Sequence, residues 1–157
     1  MSVLIQDSPI TVGWREWLSL PELGLPPVKA KIDTGARTSC LHAFSLQPFS
    51  RDGKPWVRFG MHPNQRDISK EIFCEAEVID ERIVTDSGGH KETRYVILTQ
   101  LVLPTASWPI EVTLTNRDSM RFRMLLGRSA MQGRIVVMPD QSYLLGKMAS
   151  IETEKFS

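Results

Sequence analysis

The sequence predicts an all-β domain, a barrel or sandwich assembled from many short strands. Three observations carry this. Short runs rich in apolar, β-branched and aromatic residues recur along the chain, separated by glycine, proline and Asp-Gly. Val28-Lys29-Ala30-Lys31-Ile32 alternates strictly, with Val28, Ala30 and Ile32 on one side and both lysines on the other, the signature of a half-buried strand. Arg51-Asp52-Gly53-Lys54 lies between apolar runs, where Asp-Gly signals a tight hairpin. The 157 residues suffice for one domain with an ordinary core, and neither an internal repeat nor an interdomain linker is visible.

Taken in order, residues 1–9 read as a disordered N-terminus, 10–148 as the domain and 149–157 as a C-terminal tail. Ile10 to Leu20 is strand by composition, with Trp14 and Trp17 expected in the core. Pro21 to Pro27 is loop, leading into the alternating strand that ends at Asp33. Leu41 to Phe49 is expected as one strand, returning through the Asp52-Gly53 turn into Trp56-Val57-Arg58-Phe59. His62 to Asp67 is loop-like, and Ile72 to Val84 reads as one strand. Thr85 to Lys91 is a polar tip, beyond which Thr93 to Leu98 completes a long hairpin. Trp108 to Leu114 is a strand with Ile110, Val112 and Leu114 on one face, broken at Asn116-Arg117-Asp118-Ser119. Phe122 to Leu126 is short and apolar, Gly127 to Gln132 forms a short helix, and Arg134 to Met138 is a final strand.

Composition excludes several classes. The formal net charge of +1 gives no global electrostatic reason to expect direct nucleic-acid binding. No apolar run reaches membrane-spanning length, so no membrane partner is expected. Met1 to Asp7 lacks the basic and apolar regions of a signal peptide. Cys40 and Cys74 then read as reduced, buried thiols, and the expected compartment is the cytoplasm.

The chemistry-bearing stretch is Asp33-Thr34-Gly35-Ala36-Arg37-Thr38-Ser39. Asp33 falls where the alternating strand ends, Gly35 permits a tight turn, and the Thr34 hydroxyl can lock the loop. A carboxylate held on a rigid loop beside backbone amides suits general acid–base chemistry. The same three residues also make an ordinary turn. Ser39 and His42 are near each other but lack an orienting acid or oxyanion motif, so a helix or strand-end hydroxyl cap is the expected role of Ser39.

Asp33-Thr34-Gly35-Ala36 after an apolar strand, a Gly-rich hairpin, and Leu125-Leu126-Gly127-Arg128 before a short helix resemble, in that order, the parts of retropepsin-like aspartic proteases. A narrower likeness rests on Lys29 to Ser39, Thr85-Asp86-Ser87-Gly88-Gly89-His90, Leu114 to Asp118 and Met124 to Arg128. Together these resemble the bacterial RimB-like family, also called ATP-dependent zinc proteases, over about Gly13 to Tyr143.

The resemblance implies a retropepsin-like closed β-barrel with one short helix in the C-terminal half, paired as a symmetric homodimer. It implies an aspartic-type endopeptidase in which two Asp33 carboxylates share a proton and activate water, with Thr34 and Gly35 shaping the loop. Ala36, Arg37, the tip Asp86-Ser87-Gly88-Gly89-His90 and Arg128 are then the substrate-binding residues, the hairpin near 81–95 acting as a flap. Asp86-Ser87-Gly88 is also a candidate second catalytic triplet within one chain.

Retroviral enzymes carry an acid directly after Asp-Thr-Gly-Ala; here the position is Arg37, so either the loop is rearranged or Arg37 and Arg128 await an anion. Arg94, Arg117, Arg121 and Arg123 either add to that field or are solvated surface. The implied substrate is an acidic peptide, such as the glutamate tail that a RimK-type ligase adds to a ribosomal protein. The zinc and ATP of the family label find no His-Glu-x-x-His helix and no phosphate-binding loop. Cys40, His42, Cys74, His62 and His90 form no known zinc spacing, so no cofactor is expected. The alternatives are a non-catalytic β-barrel that binds an acidic tail and, further off, a zinc hydrolase.

Overall fold

The structure, a computed structural model, describes residues 8–85, 87–116 and 121–146. Of the three expected divisions, residues 1–7 and 147–157 lie outside the described residues, as do Asp86 and residues 117–120.

The chain is mostly strand. β1 (Ile10–Val12) and β2 (Arg15–Leu18) share the stretch expected as one strand. The break is at Gly13, where a Cβ would lie 2.2 Å from the Gln141 carbonyl oxygen. A 3-10 turn at Pro21–Leu23 leads to β3 (Val28–Ile32), where Val28, Ala30 and Ile32 are buried as their alternation predicts. β4 (Ser39–His42) and β5 (Ser45–Arg51) divide the next expected strand. β6 (Lys54–Met61) returns from β5 through the Asp52-Gly53 turn, with φ of 52° and 75° at the two residues. Positive φ at both central positions is what a two-residue hairpin of matching twist requires.

The expected strand from Ile72 to Val84 is two strands, β7 (Ile72–Glu77) and β8 (Asp80–Thr85). The chain changes sheets between them. Val78 N–H donates to Pro55 O at 2.9 Å on one side, and Ile79 N–H to Val96 O at 2.8 Å on the other. β9 (Lys91–Val102) pairs with β8 as the predicted hairpin and runs on to pair with β10 (Ser107–Thr115). β11 (Met124–Leu126), the short helix α1 (Arg128–Met131) and β12 (Ile135–Val137) complete the order.

Three sheets result: β1-β12, β5-β6-β7, and seven strands in the order β2-β3-β11-β4-β10-β9-β8. The expected closed barrel is corrected here. Among the described residues, β2 and β8 are edges and the seven-stranded sheet stays open. One bridge, Ser19 to Val102, draws the β2 edge toward β9. It cannot grow into a ladder, because Pro21 follows with no N–H to donate and the chain turns away. Strands of both larger sheets contribute to one core, in which Leu41, Phe59, Met61, Ile97, Leu101, Leu114 and Leu126 are fully buried. Trp14 and Trp17, expected in that core, are only half-buried and stand at its edge.

Candidate active site

β3 carries the chain to Asp33, and β11 runs parallel beside it with Leu126 opposite Ile32. Asp33 N–H donates to Leu126 O at 2.9 Å, extending that pairing by one residue. The chain then loops through residues 34–38 into β4, which pairs with the other side of β11. β11 is therefore inserted between the two strands that the Asp33 loop joins, and the loop spans its C-terminal end.

Backbone and side-chain bonds fix this loop from three sides. Gly35 N–H donates to Asp33 Oδ1 at 2.9 Å, a side chain closing its own turn. Ala36 N–H donates to Asp33 O at 3.2 Å. From the segment after β11, Arg128 N–H reaches Ala36 O at 2.7 Å and Ser129 N–H reaches Arg37 O at 2.9 Å. Arg128 Nη1 donates to Thr34 O at 3.0 Å, so the contact Thr34 makes here is through its carbonyl rather than the expected hydroxyl. Beneath the loop, buried Gly127 N–H donates to Ser39 Oγ at 3.0 Å. A Cβ at Gly127 would sit 2.6 Å from the Thr38 carbonyl carbon, so only glycine permits this approach. The role expected for Ser39, a hydroxyl cap, is the one it plays.

Asp33 is half-buried, Thr34, Gly35 and Arg37 are exposed, and Ala36 is half-buried. No ion pair among the described residues involves Asp33. Gly35, Ala36, Arg37 and Thr38 form one side of a cleft of about 780 Å³, and Arg82 to Thr85 of β8 form another. The hairpin and the loop thus face a common space, although Asp33, Thr34 and Arg128 are not in its wall. Three guanidiniums line it. Arg82 is held by Asp80 at 2.9 Å and Glu111 at 2.8 Å, and Arg94 by Glu92 at 2.6 Å. Arg37, the third, has no carboxylate partner among the described residues. Arg37 and Arg128 are placed differently: one lines the cleft and the other braces the Thr34 carbonyl.

Ser87, Gly88, Gly89 and His90 make the exposed turn between β8 and β9, with Gly89 at a φ of 86°. None of the four lines the cleft, and Asp86 lies outside the described residues. Cys40 and Cys74 are buried, not joined by a disulfide and in different sheets, on β4 and β7, and burial pushes the Cys74 thiol up to about 11. No group of three or more His, Cys, Asp or Glu residues comes together among the described residues. Those residues therefore offer no donor set for the zinc of the family label.

Sequence reasoning passed over Arg82 and Glu111, which pair at the cleft; in β8 Arg82 is half-buried while its neighbours Glu81 and Ile83 are exposed. It also passed over Glu16. That carboxylate is fully buried and accepts bonds from the N–H groups of Gly13 at 2.7 Å, Leu144 at 2.8 Å and Leu145 at 3.0 Å.

An Asp-Thr-Gly loop held at a strand end, with a third strand threaded beneath it, places this mostly β chain in the retropepsin-like class. The model of the RimB-like family, described as the retropepsin-like aspartic endopeptidase RimB, matches residues 11–148. The chain belongs to the RimB-like family. Curated relatives include a protein of Parasynechococcus marenigrum, 54% identical over 92% of this chain, and one of Shewanella pealeana, 44% identical over 96%. Each of these is named "Probable alpha-L-glutamate ligase". This chain spans about a third of their length, 31% and 33% respectively. A crystal structure of the Legionella pneumophila protein Lpg0085, described as of unknown function, matches with a TM-score of 0.72 at 26% identity. The match covers 88% of this chain and 99% of that one. No helix among the described residues is long and apolar enough to cross a membrane.

Proposed function

We propose that this chain is an aspartic peptidase whose working unit is a homodimer, with one Asp33 from each subunit. The observation that carries the reading is the fixation of the Asp33 loop. Asp33 stands half-exposed, without an ion pair among the described residues, on a loop tied by Arg128, Gly35 and the Ser39–Gly127 bond. Such rigidity suits a group that must meet its twin at short range. Two facing carboxylates share one proton, because like charges so close cannot both ionise. The ionised member takes a proton from water while the water oxygen bonds to the scissile carbonyl carbon. The protonated member gives its proton to the carbonyl oxygen. The tetrahedral adduct then loses its C–N bond: the carboxyl that took the water proton gives it to the leaving amine, and its ionised partner takes back a hydroxyl proton, leaving a carboxylic acid and an amine.

The β8–β9 hairpin is the flap in this reading, since β8 faces the Asp33 loop across the cleft. Arg37 reads a carboxylate on the substrate, being the cleft cation without an acid of its own among the described residues. The substrate is an acidic, glutamate-rich peptide tail, such as one added to a ribosomal protein. The names of the relatives fit this. If a glutamate ligase occupies the two-thirds of each relative that this chain does not match, one polypeptide there both adds and trims such tails. The compartment proposed is the cytoplasm, where such substrates are made.

Asp33→Asn tests the reading on glutamate-rich, neutral and basic peptides. Cleavage of acidic peptides by the parent chain, lost by about 10²–10⁴-fold in the variant, is expected. Binding that survives with no cleavage by either protein would mark the chain as a silent acidic-tail binder. A monomer in solution at active concentrations would remove the shared pair.

A further inference from the structure

A second cleft, of about 640 Å³, lies on the outer face of β2 and β3, away from the space between the Asp33 loop and β8. Its walls include Trp14, Arg15, Trp17, Lys29, Arg66 and Arg121, four of them cations, and among the described residues no carboxylate. We infer that this cleft is a binding site for a carboxylate-rich peptide segment.

Three features argue for an anionic occupant. In the β2–β3 pairing Arg15 lies directly opposite Lys31, and Trp17 opposite Lys29. Like charges placed opposite each other on one sheet face repel, and among the described residues no carboxylate lining the cleft offsets them. None of the ion pairs among the described residues uses Arg15, Lys29, Lys31, Arg66 or Arg121. An external polyanion would relieve that repulsion.

The aromatic rings decide between carboxylates and nucleic acid. Arg15 lies 4.6 Å from the Trp14 ring centre and 5.0 Å from that of Tyr143, and Lys29 lies 5.3 Å from that of Trp17. Arg15 Nε also donates to Ser142 Oγ at 3.2 Å. Trp14 takes the edge of Phe122, with ring centres 6.0 Å apart. These rings serve as props that orient cations, which leaves little open face for bases to stack on. A guanidinium held this way keeps its terminal N–H groups, with which arginine grips carboxylates in pairs.

Position links this cleft to the candidate active site, and this step alone rests on the peptidase reading. Lys29 precedes Asp33 by four residues on β3, about 13 Å of strand. Lys31, exposed, stands between them. An extended acidic tail lying along this line would have charged residues in the cleft about four residues from its scissile bond.

The full chain carrying Asp33→Asn, which removes turnover, is titrated with a glutamate-rich peptide while tryptophan fluorescence and heat are followed. Binding is expected, weakening with salt, and weakening by at least about tenfold when Lys29, Arg66 and Arg121 are all changed to Gln. The exposed single changes Arg66→Gln and Arg121→Gln, checked by thermal melting, keep the test valid should the triple variant unfold. Equal affinity for a glutamine-rich peptide, no loss in the variants, or tighter binding of a single-stranded RNA at the same salt would each overturn the assignment. With Asp33 restored, the triple variant should raise KM for acidic peptides and spare kcat. Absent cleavage with intact, charge-dependent binding would sink the peptidase reading and leave this site standing.

Discussion

The hydroxyl oxygen of Ser39 accepts the buried backbone N–H of Gly127 at 3.0 Å, joining positions 88 residues apart. This bond pins the start of β4 to the end of β11, and the Asp33 loop is strung between those strands. Ser39→Ala leaves a buried donor unsatisfied and is expected to cost about 1–3 kcal/mol in denaturant unfolding. Gly127→Ala should be as damaging or worse, because the new methyl meets Thr38 backbone rather than a side chain that can swing aside.

Arg128 is a positioning residue in this scheme, acting through the carbonyl of Thr34. Arg128→Ala should lower kcat for acidic peptides with little change in KM, while unfolding shifts by only about 1 kcal/mol because the side chain is exposed. Arg128→Lys, which keeps a donor, should recover part of the loss. A change confined to KM would instead place Arg128 on the substrate.

Glu16 gathers three backbone N–H groups in a fully buried site, one from nearby Gly13 and two from the distant Leu144–Leu145 turn. Glu16→Ala should cost about 3 kcal/mol or more, measured by chemical denaturation, since those donors lose their acceptor together. Glu16→Gln keeps one acceptor oxygen and should lie between. Peptide binding at the β2–β3 cleft should weaken in step with stability, because β2 carries both.

Cys74 is 3% exposed, and burial raises its thiol from an ordinary value near 9 to about 11. Below pH 9 both folded and unfolded chains keep the proton, and the full contribution to stability is present. Between 9 and 11 the unfolded chain loses the proton first, so stability falls as pH rises. Unfolding followed from pH 8 to 11 should show this decline, of about 2–3 kcal/mol, and Cys74→Val should remove that part of the slope.

Much of this was legible in the residues themselves. Asp52-Gly53 announced its hairpin because two consecutive positive φ values demand such a pair. Val28, Ala30 and Ile32 announced a buried face because a strand alternates. The change of sheet at Val78–Ile79 was not legible, since no glycine or proline marks it and the partners, Pro55 and Val96, are remote in sequence. The open edge of the seven-stranded sheet was hidden for the same reason: strand counts do not reveal pairing. Trp14 and Trp17 looked like core because aromatic residues usually are, whereas Lys29 reaches the Trp17 ring only once β2 pairs with β3. Glu16 looked like any charged strand residue until the Leu144–Leu145 turn closed over it.

The parallel clasp of β1 with β12 sets Ile10 beside Ile135, and Tyr143 N–H then donates to Arg15 O at 3.0 Å. The two ends of the folded unit consequently meet on one side. A unit shaped this way can be spliced into a larger polypeptide as a cassette, or have its ends tied by a short linker and be reopened elsewhere.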